Sequence, residues 1–140
     1  MKLEKKTNQT VMATTPIVPI EVNRIALGSK FVGDLATEND IRIDGQFEGR
    51  LFCNGRLVVG EKAVLKGDFY STNVDFSGAM TGGNLYAKDT LSLKSGCSIT
   101  GSLSFQRFQV ELGSQFTGTC KVLQEGEFDK ASAPVAALLR

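Results

Sequence analysis

Apolar and polar residues alternate with a period of two through most of the chain. Five pairs of apolar residues each flank one intervening residue: Ile41/Ile43, Leu57/Val59, Val74/Phe76, Leu91/Leu93 and Val110/Leu112. Successive side chains of a β-strand point to opposite faces, so this spacing predicts strands with one buried face. No segment of about ten residues in this region carries a helical stripe. The pattern therefore predicts an all-β chain of short strands separated by Gly, Asn, Asp and Ser.

A glycine followed by a polar and then usually a large apolar residue recurs six times along the chain. The six tripeptides begin at Gly33, Gly49, Gly67, Gly83, Gly101 and Gly118, with spacings of 16, 18, 16, 18 and 17 residues. A fixed period of this length is typical of repeat proteins, in which one repeat buries its apolar face only by stacking on the next. The chain is therefore predicted to coil into a solenoid.

Stacking of the repeats predicts two columns of inward side chains. They read Leu35, Leu51, Phe69, Leu85, Leu103, Cys120 and Ile43, Val59, Phe76, Leu93, Leu112. At about 4.8 Å per coil, about six coils make a rod roughly 25–30 Å long. The fourth repeat has one extra residue before Gly83, and the pair Gly82-Gly83 predicts a β-bulge there.

The two ends of the chain leave the repeat. Residues 1–22 contain Pro16 and Pro19 and are predicted to be a flexible tail, followed by the solenoid domain at 23–123. Residues 124–140 are predicted to be a second flexible tail. A helix that starts at Pro134 would be too short to be stable alone, so this tail is either disordered or docked on the rod.

Composition narrows the possible chemistry. The net charge is +1, which gives no electrostatic reason to expect nucleic acid as a partner. The chain has no histidine, the commonest general base and metal ligand, so an enzyme is disfavoured and we expect no catalytic residue, metal or cofactor. Three cysteines without a Cys-x-x-Cys pair favour buried free thiols. The N-terminus lacks the apolar core of a secretory signal, so we expect a cytoplasmic protein.

The stretch "FVGDLATENDIRIDGQFEGRLFCNGRLVVGEKAVLKGDF" carries a more specific pattern. Apolar-x-Gly-x-apolar is followed by Asp-Ile-Arg-Ile-Asp-Gly, a second Gly-x-apolar unit, and apolar-Val-Gly-x-x-Ala. With the period and length of the repeats, this series resembles the bactofilins, bacterial cytoskeletal proteins, over residues 23–123. The resemblance implies a single-domain right-handed parallel β-helix that polymerises end to end into filaments without nucleotide. It also implies roles in cell shape, polarity or the scaffolding of cell-wall enzymes.

The residues favour self-assembly independently of the resemblance. A short solenoid has two open ends with unpaired strand edges and apolar side chains, and no obvious polar cap is present at either end. The resemblance implies that an apolar residue of the terminal coil, typically phenylalanine, takes part in assembly, and Phe116 has that position. Phe116 is equally expected to be an inward core residue, and in a terminal coil both hold. The predicted polymerisation interface consists of Phe116, Val122, Leu123, Ile25, Leu27, Phe31 and Val32.

The first residues are a candidate membrane contact. Basic residues near an anionic leaflet contribute about 1 kcal/mol each, with two apolar residues to insert. The candidate residues are Met1, Lys2, Leu3, Lys5 and Lys6. Some bactofilins attach to membrane through their first residues, so the resemblance implies a place at the inner face of the cell membrane. A solvated tail is the alternative.

Two other functions remain open. A hexapeptide-repeat acyltransferase also turns every 18 residues or so, but it needs a strict six-residue rhythm and usually a catalytic histidine. A monomeric or small-oligomer solenoid that binds a protein or polysaccharide is the second alternative, and we expect no stripe of exposed aromatic residues to support it. The outward residues Asp34, Arg50 and Asp68 alternate in charge. They predict a solvated ion-pair ladder of small energetic value rather than a catalytic carboxylate pair.

Overall fold

The computed structural model describes residues 22–140, which form nine strands, one helix and a 3-10 turn. The strands are β1 Val22–Ile25, β2 Lys30–Thr37, β3 Asp40–Ile43, β4 Gln46–Val59, β5 Val64–Phe76, β6 Ala79–Leu93, β7 Ser98–Phe105, β8 Arg107–Val110 and β9 Gln115–Val122. They are followed by α1 Glu127–Ala136 and by the 3-10 turn Ala137–Leu139. The tail predicted for residues 1–22 lies outside the described residues except for Val22, which begins β1.

All strand pairs in the structure are parallel. The order in the sheet is β9-β7-β6-β5-β4-β3-β1, with β2 paired to β4 and β8 paired to β6. Each inner coil thus pairs with the coil before and after it, and the chain forms the predicted solenoid of about six coils. The core runs along the axis and contains fully buried phenylalanine and aliphatic side chains, each of which contributes about 1.5–3 kcal/mol by burial.

The first predicted column is confirmed, and the second is wrong at its last member. Leu35, Leu51, Phe69, Leu85, Leu103 and Cys120 follow one another in register. In the second column Leu93 pairs with Val110, whereas Leu112 is 95% exposed. The reason is that β8 ends at Val110 and residues 111–114 form a corner, where the period of two no longer applies.

The alternation between 16 and 18 residues arises at the corners. Between Gly33 and Gly49 the corner is the pair Asp44-Gly45, whereas between Gly49 and Gly67 the corner takes four residues, Gly60–Ala63. In the four-residue corner the N–H of Ala63 donates to the carbonyl of Gly60 at 3.1 Å. The predicted bulge at Gly82-Gly83 is confirmed by a shift in the pairing of β5 with β6.

The glycine that begins each tripeptide brings successive backbones into close contact. Gly67 has a φ of +135°, and a Cβ atom built on it would lie 2.9 Å from the carbonyl carbon of Gly49 and nearer still to its oxygen. Such a separation is too short for a side chain, so only glycine fits. The repetition of the tripeptide therefore reflects one backbone contact made once per coil.

The segment at 124–140 is docked on the rod, which is the second of the two alternatives given for this tail. It contains α1, which begins seven residues before Pro134 and includes that proline. The helix packs through the buried side chains of Phe128 and Val135 on the outer surface of the solenoid. That surface carries an aromatic ladder, Phe52, Tyr70 and Tyr86, in register on three successive coils. The ladder is covered by α1, and Tyr70 is only 7% exposed, so it is not a stripe of exposed aromatic residues. The ladder itself was not predicted, because these residues are 16 to 18 positions apart and become neighbours only through coil stacking.

Candidate polymerisation interface

The solenoid has two ends at which strand edges are unpaired within residues 22–140. At the first coil β1 pairs only with β3, and β2 pairs only with β4. At the last coil β8 pairs only with β6, and β9 pairs only with β7. We call the exposed side of the first coil the N-terminal end face and that of the last coil the C-terminal end face. Each presents free backbone donors and acceptors to another chain.

The C-terminal end face is apolar at every inward position. These positions are Phe108, Val110, Phe116, Cys120 and Val122. Phe116 is partly buried against the core, as expected, while Val110 and Val122 are exposed. Cys120 is exposed too, so the expectation of three buried thiols holds only for Cys53 and Cys97. The physical reason is that no further coil covers the last one.

The N-terminal end face combines apolar residues with a hydrogen-bonded pair of polar residues. Ile25 and Phe31 pack on the core, and the ring of Phe31 stacks on Phe47 at a centroid distance of 4.8 Å. Two inward positions of this coil hold Asn23 and Thr37, and the Asn23 amide donates to the Thr37 hydroxyl at 2.8 Å. This pair makes two inward positions of the first coil polar, which was not predicted. Sequence reasoning missed the pair because the two residues are 14 positions apart.

An outward valine adds to the same end face. Val32 lies on β2 and is 66% exposed. An exposed valine on an unpaired strand edge leaves apolar surface that a stacked coil would cover. Val32 thus remains among the predicted interface residues.

A leucine lies at the same corner position in the first and the last coil only. Leu27 follows Ala26 in the first corner, and Leu112 follows Glu111 in the last, and both leucines are exposed. The inner four-residue corners carry Glu61 and Ser95 at that position. Leu112 was not among the predicted interface residues, although the sequence contains a signal that its corner resembles the first one. The segments "IALGSKF" and "VELGSQF" match, so the two terminal corners are alike.

Leu123 does not belong to the C-terminal end face. It is 4% exposed and packs beside Phe128 and Val135 in the cluster under α1. The prediction placed it at the end because it follows the last strand. The helix instead folds back over it, so Leu123 is not available to a second chain. The candidate membrane residues Met1, Lys2, Leu3, Lys5 and Lys6 lie outside the described residues.

The outward polar column forms a ladder of hydrogen bonds. Arg50 donates to both carboxylate oxygens of Asp34, at 3.0 and 2.6 Å, and these hydrogen bonds hold the pKa of Asp34 below its ordinary value. Asp68 instead accepts from the amide of Asn84 at 2.8 Å. The predicted ion-pair ladder is therefore confirmed only for Asp34 and Arg50, and Asp68 has a different partner. Exposed ion pairs generally contribute little to stability.

The described residues offer little other chemistry. No group of three or more His, Cys, Asp or Glu side chains in residues 22–140 is placed to hold a metal ion. Over the same residues no helix has the length and apolar character needed to cross a membrane. The unpaired ends of the solenoid are therefore the candidate site.

These features define a parallel β-solenoid whose two ends present apolar side chains and free strand edges. The family model of the bactofilins, described as polymer-forming cytoskeletal proteins, matches residues 23–121. Bactofilin BacO from Myxococcus xanthus (strain DK1622) is 30% identical over 94 residues, which cover 66% of this chain and 74% of that protein. The chain belongs to the bactofilin family, a family of cytoskeletal proteins.

A solved structure supports the fold. The crystal structure of a mutant bactofilin from Thermus thermophilus has a TM-score of 0.50 to this chain at 20% identity. The match covers 73% of this chain and 93% of that one. The helix α1 lies beyond the residues that the family model matches.

Proposed function

We propose that the chain self-assembles end to end, without nucleotide, into filaments. The observation that carries the proposal is the composition of the C-terminal end face, where all five inward positions are apolar and no described residue covers them. Stacking of a second chain on this face would bury those side chains and extend the sheet. Burial of apolar surface supplies the free energy of such an association, so no nucleotide is required.

The terminal corners support the same assembly. Leucine is present at the corner position only where a coil ends the solenoid, and polar residues take that position inside it. A leucine left in solvent stabilises nothing, whereas one buried between two chains contributes to association. Identical contacts repeated at both ends without closure give an open filament rather than a ring.

Membership in a cytoskeletal family supports a proposal for the cellular role. We propose that the filaments support cell shape, polarity or the localisation of cell-wall enzymes. The proposed location is the cytoplasm, at the inner face of the cell membrane where the first residues make contact. Further proposed partners are cell-wall enzymes or their membrane adaptors.

Sedimentation and electron microscopy of the purified chain in nucleotide-free buffer test the assembly. We expect the wild type to pellet as rods, and the Phe116→Arg variant to remain in solution. An arginine at that position places a charge between stacked coils, and burial of an unpaired charge is strongly unfavourable. The matched control is Thr100→Arg, which adds the same charge at an exposed position in the middle of β7.

Three outcomes of this experiment would contradict the proposal or one of its parts. A wild-type chain that sediments as a monomer of about 15 kDa contradicts the proposal. If Phe116→Arg still pellets as rods while its circular dichroism remains native, Phe116 is not at the interface. If Thr100→Arg disperses the rods equally, the effect is one of charge and not of position.

A further inference from the structure

The helix α1 and its 3-10 turn cross the outer surface of the solenoid toward the first coil. Near the start of α1, the ring of Phe128 lies 6.4 Å from Phe52 and 6.3 Å from Tyr70. Lys88 forms an ion pair with Asp129 at 3.5 Å. The 3-10 turn Ala137–Leu139 then lies against β2, the edge strand of the first coil. The segment that follows the last coil thus reaches the first coil, which carries the N-terminal end face.

The turn carries the exposed leucines of this segment. Leu138 is 56% exposed and Leu139 is 38% exposed, whereas the buried side chains of α1 are Phe128, Ser132 and Val135. No other large apolar side chain of residues 124–140 is exposed. The large exposed apolar side chains are therefore confined to the end of the segment that contacts the edge strand.

The N-terminal end face has less apolar surface than the C-terminal end face, and these leucines would add to it. Two of its inward positions hold the polar residues Asn23 and Thr37, where the C-terminal end face has only apolar ones. A second chain stacked on this end thus buries less apolar core surface than one stacked on the other end. Apolar surface from the turn, at the same end of the rod, compensates for that difference.

We propose that Leu138 and Leu139 are part of the N-terminal end face and are buried by a second copy of the chain during assembly. The inference rests on the proposed end-to-end assembly. It assigns a role to a segment outside residues 23–121, the range matched by the family model. In this arrangement α1 is a strap that places its terminal turn beside the edge strand.

The test compares two variants in a pelleting assay. The double variant Leu138→Ser/Leu139→Ser removes the exposed leucines, and Val64→Ser removes an exposed apolar side chain on the lateral surface of the rod. We expect the double variant to raise the critical concentration for assembly about tenfold, and the control to leave it unchanged. Far-ultraviolet circular dichroism checks that α1 remains folded.

A labelling measurement decides the case in which the double variant loses its helix. The Leu139→Cys variant is treated with a maleimide both as free chains, below the critical concentration, and as assembled rods. Mass spectrometry of the peptide that contains the new cysteine gives the labelling rate in each state. We expect the rate to fall at least about tenfold on assembly, because the side chain becomes buried. Equal rates in the two states overturn the inference, as does an unchanged critical concentration for the double variant.

Two further outcomes are informative. If the double variant assembles normally but, unlike the wild type, no longer floats with vesicles of anionic lipid in a density gradient, the leucines contact a membrane and the inference is wrong. A wild-type chain that never assembles refutes the proposed function itself. That result is distinct from normal assembly that is insensitive to the two leucines, which refutes only the inference.

Discussion

The close approach of successive coils at Gly67 predicts a large effect of a very small substitution. Gly67→Ala adds one methyl group, and its carbon would lie 2.9 Å from the carbonyl carbon of Gly49 and 3.0 Å from its nitrogen. Gly96 is a matched control, since its φ of +89° is also positive but no atom beyond its own chain neighbours lies within 4 Å of the added carbon. Both substitutions place a side chain at a positive φ, but only Gly67→Ala also brings that side chain into a steric clash.

The expected magnitudes separate the two variants. A non-glycine residue in a sparsely populated region of positive φ costs about 1–3 kcal/mol. Forcing an additional group into a packed interior costs about 1–3 kcal/mol more. We therefore expect Gly67→Ala to lower the free energy of unfolding by about 4 kcal/mol, and Gly96→Ala by about 1–2 kcal/mol. The former is a large part of the 5–15 kcal/mol typical of a domain.

Urea denaturation followed by circular dichroism measures the difference. The experiment uses the Phe116→Arg background, so that assembly does not add to the stability of the single chain. With a urea dependence of about 2 kcal/mol/M, Gly67→Ala shifts the midpoint down by about 2 M and Gly96→Ala by less than about 1 M. Equal midpoints for the two variants would refute the reasoning, since the coil-to-coil contact would then contribute nothing.

Two further predictions concern a thiol and a carboxylate. Of the three cysteines, Cys120 should react quickly with a thiol reagent and become protected in assembled rods. Burial raises the pKa of the Cys53 thiol, so Cys53 should react slowly. Similar reaction rates for all three thiols would contradict an exposed end face. The N–H of Gln124 and then the ammonium of Lys121 donate to Glu127 and hold its pKa below the ordinary value. A lowered carboxyl pKa gives stability that is present above the unfolded-state pKa and is lost as the pH falls through the folded-state pKa. The near-ultraviolet circular dichroism of the stacked Tyr70 and Tyr86 should therefore weaken on acidification in that window. The variant Glu127→Gln should abolish this pH dependence. An unchanged pH profile in the variant would show that Glu127 does not hold α1 in place.

Some of the fold could be predicted from the sequence because it depends on local chemistry. Period-two alternation marks strands, and glycine at fixed spacing marks the point where coils touch. The extra residue before Gly83 marked the bulge in the same way. Leu112 shows the limit of this reasoning, because an apolar residue two positions after Val110 continues the pattern but lies in a corner.

The site could be predicted only in part. Phe116, Leu27 and Val32 were placed at the ends by counting repeats, and the structure puts them there. Asn23 and Thr37 were missed, since their hydrogen bond depends on the closure of the first coil. Leu123 was misplaced, because the sequence does not indicate that the chain folds back over it.

The sequence by itself determined the repeat, the family and the inward columns except for the last member of the second one, since each follows from the type and spacing of residues within one or two coils. Only the tertiary structure decided where α1 lies. Its docking surface is formed by Phe52, Tyr70 and Tyr86, which become adjacent through parallel register between three coils. A ten-residue helix with a proline inside it is too short to be stable alone, so its position depends on that surface rather than on its own sequence.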